Sequence, residues 1–381
     1  MDLRDTPEEA RFRADLRAWI DTNLPDDKRG GRGGAQRFDD PFMREWSHKL
    51  HEAGYAGLTW PKEFGGAGAP YSFQAIFYEE MAAAQAPSHI GVIGLGMAGP
   101  TIIAHGTDEQ KARYLQPLLA ADEIWCQGFS EPDAGSDLAA ARTRAERKGD
   151  VYLVNGQKVW SSFAHNADFC ILVTQSDPDA PRYRNLTYLI VDMHAPGIEV
   201  RPLRQITGEA EFNEIFFSDV EVPVANRLGD EGDGWNVAMT TLLHERGTLG
   251  FALTATLDAG VSRLLDEARE HVNGDTGLRE RIAHEWIELQ ALRYTNYRAL
   301  GTYQRTGIPG PEGSGVKLRW SEANQRMTQL ARDVRGIEGI LDDGWWNHQQ
   351  LRSRGNTIEA GTSEVLRNIV AERVLGLPRS R

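Results

Sequence analysis

The chain is 381 residues long, 40% hydrophobic and 25% charged, enough material for two or three packed domains of ordinary globular composition. A formal charge of −13 argues against a broad nucleic-acid footprint, so an anionic ligand must be held by local arginines, helix ends and backbone N–H groups. No stretch approaches the roughly 18 consecutive apolar residues of a membrane span; the start (Asp2, Arg4, Asp5) carries no apolar leader, and the expected compartment is the cytoplasm.

Thr6-Pro7-Glu8-Glu9 predicts a helix start, with a capping hydroxyl, a proline in the first turn and two acids at the positive end. Phe12, Leu16, Trp19 and Ile20 fall on one face of that helix, which Pro25 ends. The glycine-rich run 28–35 lacks the Gly-Lys-Ser/Thr of a phosphate loop and reads as a surface loop.

The pattern changes near residue 122. Cys126 and Cys170 lie in apolar runs and read as buried, reduced thiols, giving neither a zinc cluster nor a disulfide framework. Val151-Tyr152-Leu153-Val154 running into Asn155-Gly156 predicts a hairpin, and strand-like runs follow at 169–174, 186–191 and 214–217. Beyond Trp235 the chain is helical again, with Leu249, Leu253, Leu257, Val261 and Leu264 along one face. A Gly/Pro-rich connector at 306–315 precedes helical stretches from Gly315 towards Ile340 and over 362–375. There is no βαβ alternation and no internal repeat. The order predicts an α+β chain of three domains: helical over 1–121, β over 122–228, helical over 229–381.

Three segments carry chemistry. Gln127-Gly128-Phe129-Ser130-Glu131-Pro132-Asp133-Ala134-Gly135-Ser136-Asp137 is a turn rich in N–H groups and hydroxyls, suited to an anionic or heteroaromatic ligand; it also reads as a plain connecting loop. Lys158-Val159-Trp160-Ser161-Ser162-Phe163 reads as a core Trp beside a strand-end serine, or as an indole to cover a planar ring with hydroxyls to reach its edge. In Ile358-Glu359-Ala360-Gly361-Thr362-Ser363-Glu364, a helix opens on Gly-Thr-Ser, as a pyrophosphate site or simply a capped helix.

Together with Trp60-Pro61-Lys62-Glu63-Phe64-Gly65-Gly66, His105-Gly106-Thr107 and Asn155-Gly156-Gln157-Lys158, these segments resemble the acyl-CoA dehydrogenase family over nearly the whole chain. The resemblance implies an N-terminal helical domain, a middle β-barrel-like domain and a C-terminal four-helix domain, with FAD bound between subunits. By position it assigns Phe129 and Ser130 to the pyrimidine end of the flavin, Trp160 to its ring, Ser162 to its N5, and Thr362 and Glu364 to the pyrophosphate and ribose side. Gln127 takes a cofactor position where many members carry an aromatic residue, and Ser136 lines the acyl-CoA channel.

The implied reaction removes an α-proton to a carboxylate and a β-hydride to flavin N5, giving a 2-enoyl-CoA, with an electron-transfer flavoprotein as acceptor. Many members carry the base immediately before Gly-Thr-Ser-Glu; here that residue is Ala360. Isovaleryl and long-chain types instead place a glutamate before an arginine on a C-terminal-domain helix, matching Glu245-Arg246. The expectation is therefore Glu245 as base, Arg246 beside the substrate, and the Ala360 backbone N–H as donor to the thioester oxygen. Glu359 is the rival carboxylate, and His244 reads as a packing or surface histidine.

In family members built from one chain type, the C-terminal domain reaches a neighbour's FAD with an arginine shortly before Phe-Gly, a later glutamine and paired glycines. This chain has Val272-Asn273-Gly274-Asp275-Thr276-Gly277-Leu278-Arg279, and later Arg335-Gly336-Ile337-Glu338-Gly339. Two assemblies follow: a homo-oligomer with altered FAD contacts, or a hetero-oligomer of two related chains like the bacterial dehydrogenases of steroid side-chain thioesters. A catalytically silent partner subunit and a related flavin oxidase or monooxygenase are the alternative functions.

Overall fold

The structure, a computed structural model, describes residues 4–30, 40–272, 274–306, 310–341 and 344–379; of 245–248 it describes the helical backbone without the side chains. The glycine-rich run past residue 30 lies outside the described residues.

In chain order the helices α1 (Pro7–Asn23), α2 (Pro41–Glu52), α3 (Tyr71–Ala83), α4 (Gly99–His105) and α5 (Asp108–Ala120) come first. The strands β1 (Trp125–Gly128), β2 (Arg144–Lys148), β3 (Val151–Ser162), β4 (Phe169–Gln175), β5 (Leu186–Asp192), β6 (Ile198–Leu203) and β7 (Phe212–Pro223) follow. Last come α6 (Gly234–His271), α7 (Thr276–Thr306), α8 (Glu312–Arg335), α9 (Glu338–Leu341), α10 (Trp345–Arg352) and α11 (Ser363–Ile369). Helical ends around a middle sheet are the α+β architecture expected.

The chain divides into two compact units. One comprises Met1–Gln36, Ala69–Ser88 and Arg246–Arg381. There α1 opens on the expected cap: the Thr6 hydroxyl accepts from Glu9 N–H and the Glu9 carboxylate accepts from Thr6 N–H. Leu16 and Ile20 are buried, while Phe12 and Trp19 are only partly covered. Glu80 of α3 is buried and ion-paired by Arg13 and Arg17 of α1. The C-terminal helices share a core of Leu257, Val261, Leu264, Leu289, Trp320 and Met327. The run expected towards Ile340 is interrupted at Gly336 (φ +60), which separates α8 from the short α9.

The other unit comprises Arg37–Gly68 and His89–Glu245. Its seven strands form one mixed sheet, ordered β1-β4-β2-β3-β7-β6 with β5 on β4. Strand parity builds two cores. Ile171, Val173, Tyr188 and Ile190 join Leu115 and Leu118 of α5, whereas Cys170, Leu172, Leu189 and Val191 meet Tyr152, Val154 and Ile215. Cys126 and Cys170 are free, fully buried register partners on the parallel pair β1–β4.

The hairpin expected at Asn155-Gly156 is a correction. β3 runs straight through it, and the turn lies earlier, at Gly149 (φ +62), where Lys148 of β2 faces Val151. Asn155 instead lies opposite a β-bulge of β7: between the pairs Val154–Val220 and Gly156–Phe217 β7 carries one extra residue, with Asp219 at φ +51. Asn155 exchanges hydrogen bonds with Asp219, and a Cβ at Gly156 (φ +148) would meet Thr143 Cα at 2.7 Å. Glycine is there for close approach rather than for reversal.

Candidate active site

The turn after β1 is fixed from below. Glu131 and Ala134 exchange backbone hydrogen bonds (2.9 and 3.1 Å), closing a tight turn over Pro132-Asp133. The Glu131 carboxylate is buried and accepts from Arg142 N–H (2.7 Å), Thr143 N–H (2.8 Å) and the Lys158 ammonium (2.8 Å). Lys158, fully buried, also donates to the Phe129 carbonyl (3.0 Å). Burial pushes the Glu131 carboxyl up, but Lys158 and the two N–H groups outweigh it and hold it below the usual carboxylate range. Burial lowers the Lys158 ammonium, and Glu131 offsets part of that.

Phe129 points inward, edge-on to Tyr188 at 5.8 Å, which leaves its backbone rather than its ring for a ligand. Gln127 and Ser130 are half-buried and Ser136 is exposed. Val159 N–H donates to the Ser130 carbonyl at 2.9 Å, so this turn lies directly against β3.

At the end of β3 the register on β7 shifts again between Lys158 and Ser161. Trp160 sits in that bulge at φ +60 and turns its indole outward, 61% exposed and edge-on to Phe212. The core-Trp alternative is thereby excluded. Ser162 is half-buried at the strand end; Ser161 is buried with its hydroxyl unpartnered. An uncovered planar indole, with the Ser130 backbone against its strand, fits a planar heteroaromatic ligand such as FAD.

The C-terminal turn is equally well anchored. Ala360 (φ +50) and Gly361 (φ +92) are both left-handed, and Ala360 is exposed. An alanine held there is strained, by about 1–2 kcal/mol. The buried Lys317 of α8 donates to the carbonyls of Asn356 (2.7 Å) and Gly361 (2.8 Å), bracketing Ala360. Ser321 also donates to the Asn356 carbonyl (2.7 Å). Thr362 caps α11, its hydroxyl accepting from Val365 N–H; Glu364 is exposed, and its own N–H and the Thr362 hydroxyl keep its carboxyl below the usual range. The Ser363 hydroxyl is buried without a partner.

The rival carboxylate is spoken for. Glu359 binds Arg352 (2.8 and 3.2 Å) and the Asn356 amide (2.7 Å). Glu245 and Arg246 lie on α6, but their side chains fall outside the described residues. The neighbouring His244 is half-buried; burial lowers its pKa, with His105 adding to the effect. His105 itself bonds the Thr240 hydroxyl at 2.8 Å.

Family models match all three parts of the chain. The acyl-CoA dehydrogenase N-terminal domain matches residues 6–122, the middle domain 126–220 and the C-terminal domain 232–375. The acyl-CoA dehydrogenase IpdE1 of Mycobacterium tuberculosis is 41% identical over 378 residues, 97% of each chain. The chain belongs to the acyl-CoA dehydrogenase family. Members are flavoprotein oxidoreductases, in general FAD-dependent. Among solved structures, a steroid acyl-CoA dehydrogenase described as Tcur3481-Tcur3483 superposes with TM-score 0.89 at 30% identity, covering 100% of both chains. The ChsE4-ChsE5 complex from Mycobacterium tuberculosis gives TM-score 0.86 at 31% identity, again over 100% of both.

Lys317 and Asn356 escaped the sequence reading, and Lys158 was read only as part of its motif, with no anchoring role. Lys158 shares parity with the buried Tyr152 and Val154, and Lys317 lies on the buried α8 stripe with Trp320, Ser321 and Asn324. A lysine at a core position demands a fixed acceptor, and that signal was present.

Proposed function

We propose that the chain is the catalytic subunit of an FAD-dependent dehydrogenase acting on a steroid-derived acyl-CoA thioester, with Glu245 as base. The observation that carries this is negative in form and specific in place. At the position before Gly361-Thr362-Ser363 stands an exposed alanine in left-handed backbone, and the nearby Glu359 is held by Arg352 and Asn356. That turn supplies an N–H group and no free carboxylate, which supports a base from elsewhere, and Glu245 is the matching residue.

In this reading Glu245 takes the α-proton and the Ala360 N–H donates to the thioester oxygen, where enolate charge develops. FAD, when bound, supplies the two-electron acceptor for the β-hydride, so that the product is the 2-enoyl-CoA. Ser130, Trp160 and Ser162 hold its ring side, with Gln127 and the Phe129 backbone beside them, while Thr362 and Glu364 serve the pyrophosphate and ribose side. Ser136 and Arg246 contact the thioester substrate, and an electron-transfer flavoprotein reoxidises the enzyme.

The preferred assembly is a hetero-oligomer of two related chains. Support comes from the departures around Gly277 and Ile337, from the two-chain character of the structural relatives, and from uncovered apolar side chains on the C-terminal helices: Trp286, Ile287 and Tyr294 on α7, Ile340 and Leu341 on α9.

The test is co-expression with related chains, followed by flavin content and bleaching with a panel of steroid side-chain and linear acyl-CoAs. Bleaching by a steroid thioester that Glu245→Gln removes supports the reading. Undiminished turnover in the Glu245→Gln complex makes the chain a silent partner. Full FAD and activity in the chain alone sinks the hetero-oligomer, and oxygen consumption without an acceptor flavoprotein marks an oxidase.

A further inference from the structure

The two segments assigned to the flavin ring, 129–130 and 160–162, meet at one buried ion pair. Lys158 Nζ donates to the Phe129 carbonyl at 3.0 Å and to Glu131 Oε1 at 2.8 Å, gripping the residues on both sides of Ser130. Val159 N–H holds the Ser130 carbonyl itself at 2.9 Å. Glu131 is in turn seated on the N–H groups of Arg142 and Thr143. On the other side, Lys158, opposite Ile215, is the last paired residue of β3 before the bulge that turns Trp160 outward.

We propose that Lys158 and Glu131 are positioning residues that lock the Phe129–Ser130 turn to the Trp160–Ser162 strand end and so set FAD affinity. This rests on the FAD reading above. As a source of stability the pair is weak, since the desolvation of a buried pair cancels much of its attraction. What apolar groups lack is direction. The ammonium fixes one carbonyl and one carboxylate at hydrogen-bond distance, holding the Ser130 backbone and hydroxyl at a fixed offset from the Trp160 indole. The pair registers one flavin-contacting segment against the other, and neither segment reaches the ligand as designed once it is gone.

The experiment titrates FAD into apoprotein of the wild type, Lys158→Met, Glu131→Gln and the double variant Lys158→Met/Glu131→Gln, in whichever assembly takes up flavin. Read out are the FAD dissociation constant, the visible spectrum of bound flavin, its midpoint potential and the urea midpoint of the apoprotein. Lys158→Met alone leaves a buried carboxylate uncompensated and serves only if it folds; the double variant is neutral throughout, and Glu131→Gln keeps one acceptor for Lys158. The expected result is a double variant that folds with a lowered urea midpoint, binds FAD at least about 30-fold more weakly and shows a shifted flavin band; Glu131→Gln shows a smaller loss in the same direction. A folded double variant with wild-type FAD affinity, spectrum and potential overturns the proposal. A wild-type assembly that takes up no FAD overturns the functional reading instead.

Discussion

Arg352 grips Glu359 with both terminal guanidinium nitrogens, at 3.2 and 2.8 Å, while Asn356 donates to the same carboxylate at 2.7 Å. A carboxylate so engaged is not free to swing towards a substrate carbon without giving up charge-assisted hydrogen bonds. Glu359→Gln is therefore expected to keep kcat within about threefold, whereas Glu245→Gln loses roughly 10³-fold. Single-turnover flavin reduction by the two variants checks this, and the reverse order would reassign the base.

Lys317 is the matching anchor at the C-terminal turn. Lys317→Met removes two charged hydrogen bonds, to the Asn356 and Gly361 carbonyls, in a buried setting. The expected cost is about 2–4 kcal/mol of stability, read from the urea midpoint. Because Ala360 lies between the two carbonyls and pays for its left-handed backbone, kcat should fall more than substrate affinity does.

Trp160 contributes little to the fold, and in the proposed site its indole covers the flavin ring. With its side chain 61% exposed, Trp160→Ala should shift unfolding by under about 0.5 kcal/mol. Loss of an aromatic stacking partner should weaken FAD by roughly tenfold. Equal FAD affinity by titration would remove Trp160 from the site.

His89 makes the protein acid-sensitive. Its Nδ1 accepts from Gly91 N–H at 3.0 Å, so the proton of the neutral ring sits on Nε2, which donates to the Leu119 carbonyl at 3.2 Å. Burial lowers its pKa from 6.5 to about 4, and His51 and His48 add to this. Between those values the unfolded chain binds the extra proton and the folded one does not. Stability is thus lost as pH falls from 6.5 towards 4, by up to about 3 kcal/mol. Urea midpoints across that range should slope less in His89→Gln.

The order of helices, sheet and helices was legible because periodicity is a local signal: Leu257, Val261 and Leu264 repeat along α6, and the strands at 169–175 and 186–192 read as continuous apolar runs. Asn155-Gly156 misled because close approach to a neighbouring strand and a turn both ask for glycine, and only the partner strands decide between them. Trp160 was ambiguous for the same reason: the bulge beside it, set by pairing with β7, sends the indole out rather than in. The acid partner of Lys158 lies 27 residues back, beyond the reach of any local pattern. The engagement of Glu359 by Arg352 seven residues earlier depends on how α10 leads into the following turn.

β4 has paired neighbours on both sides, β1 and β5, and Cys170, Ile171, Leu172 and Val173 are shut off from water on both faces. Its amides have no route to solvent short of opening the whole sheet, so they should be among the last to take up deuterium. β1, which carries the turn through Phe129 and Ser130, hangs directly on that strand. The turn proposed to face the ligand is thus mounted on the strand expected to breathe most slowly, and substitution at its tip should reshape it without loosening its foundation.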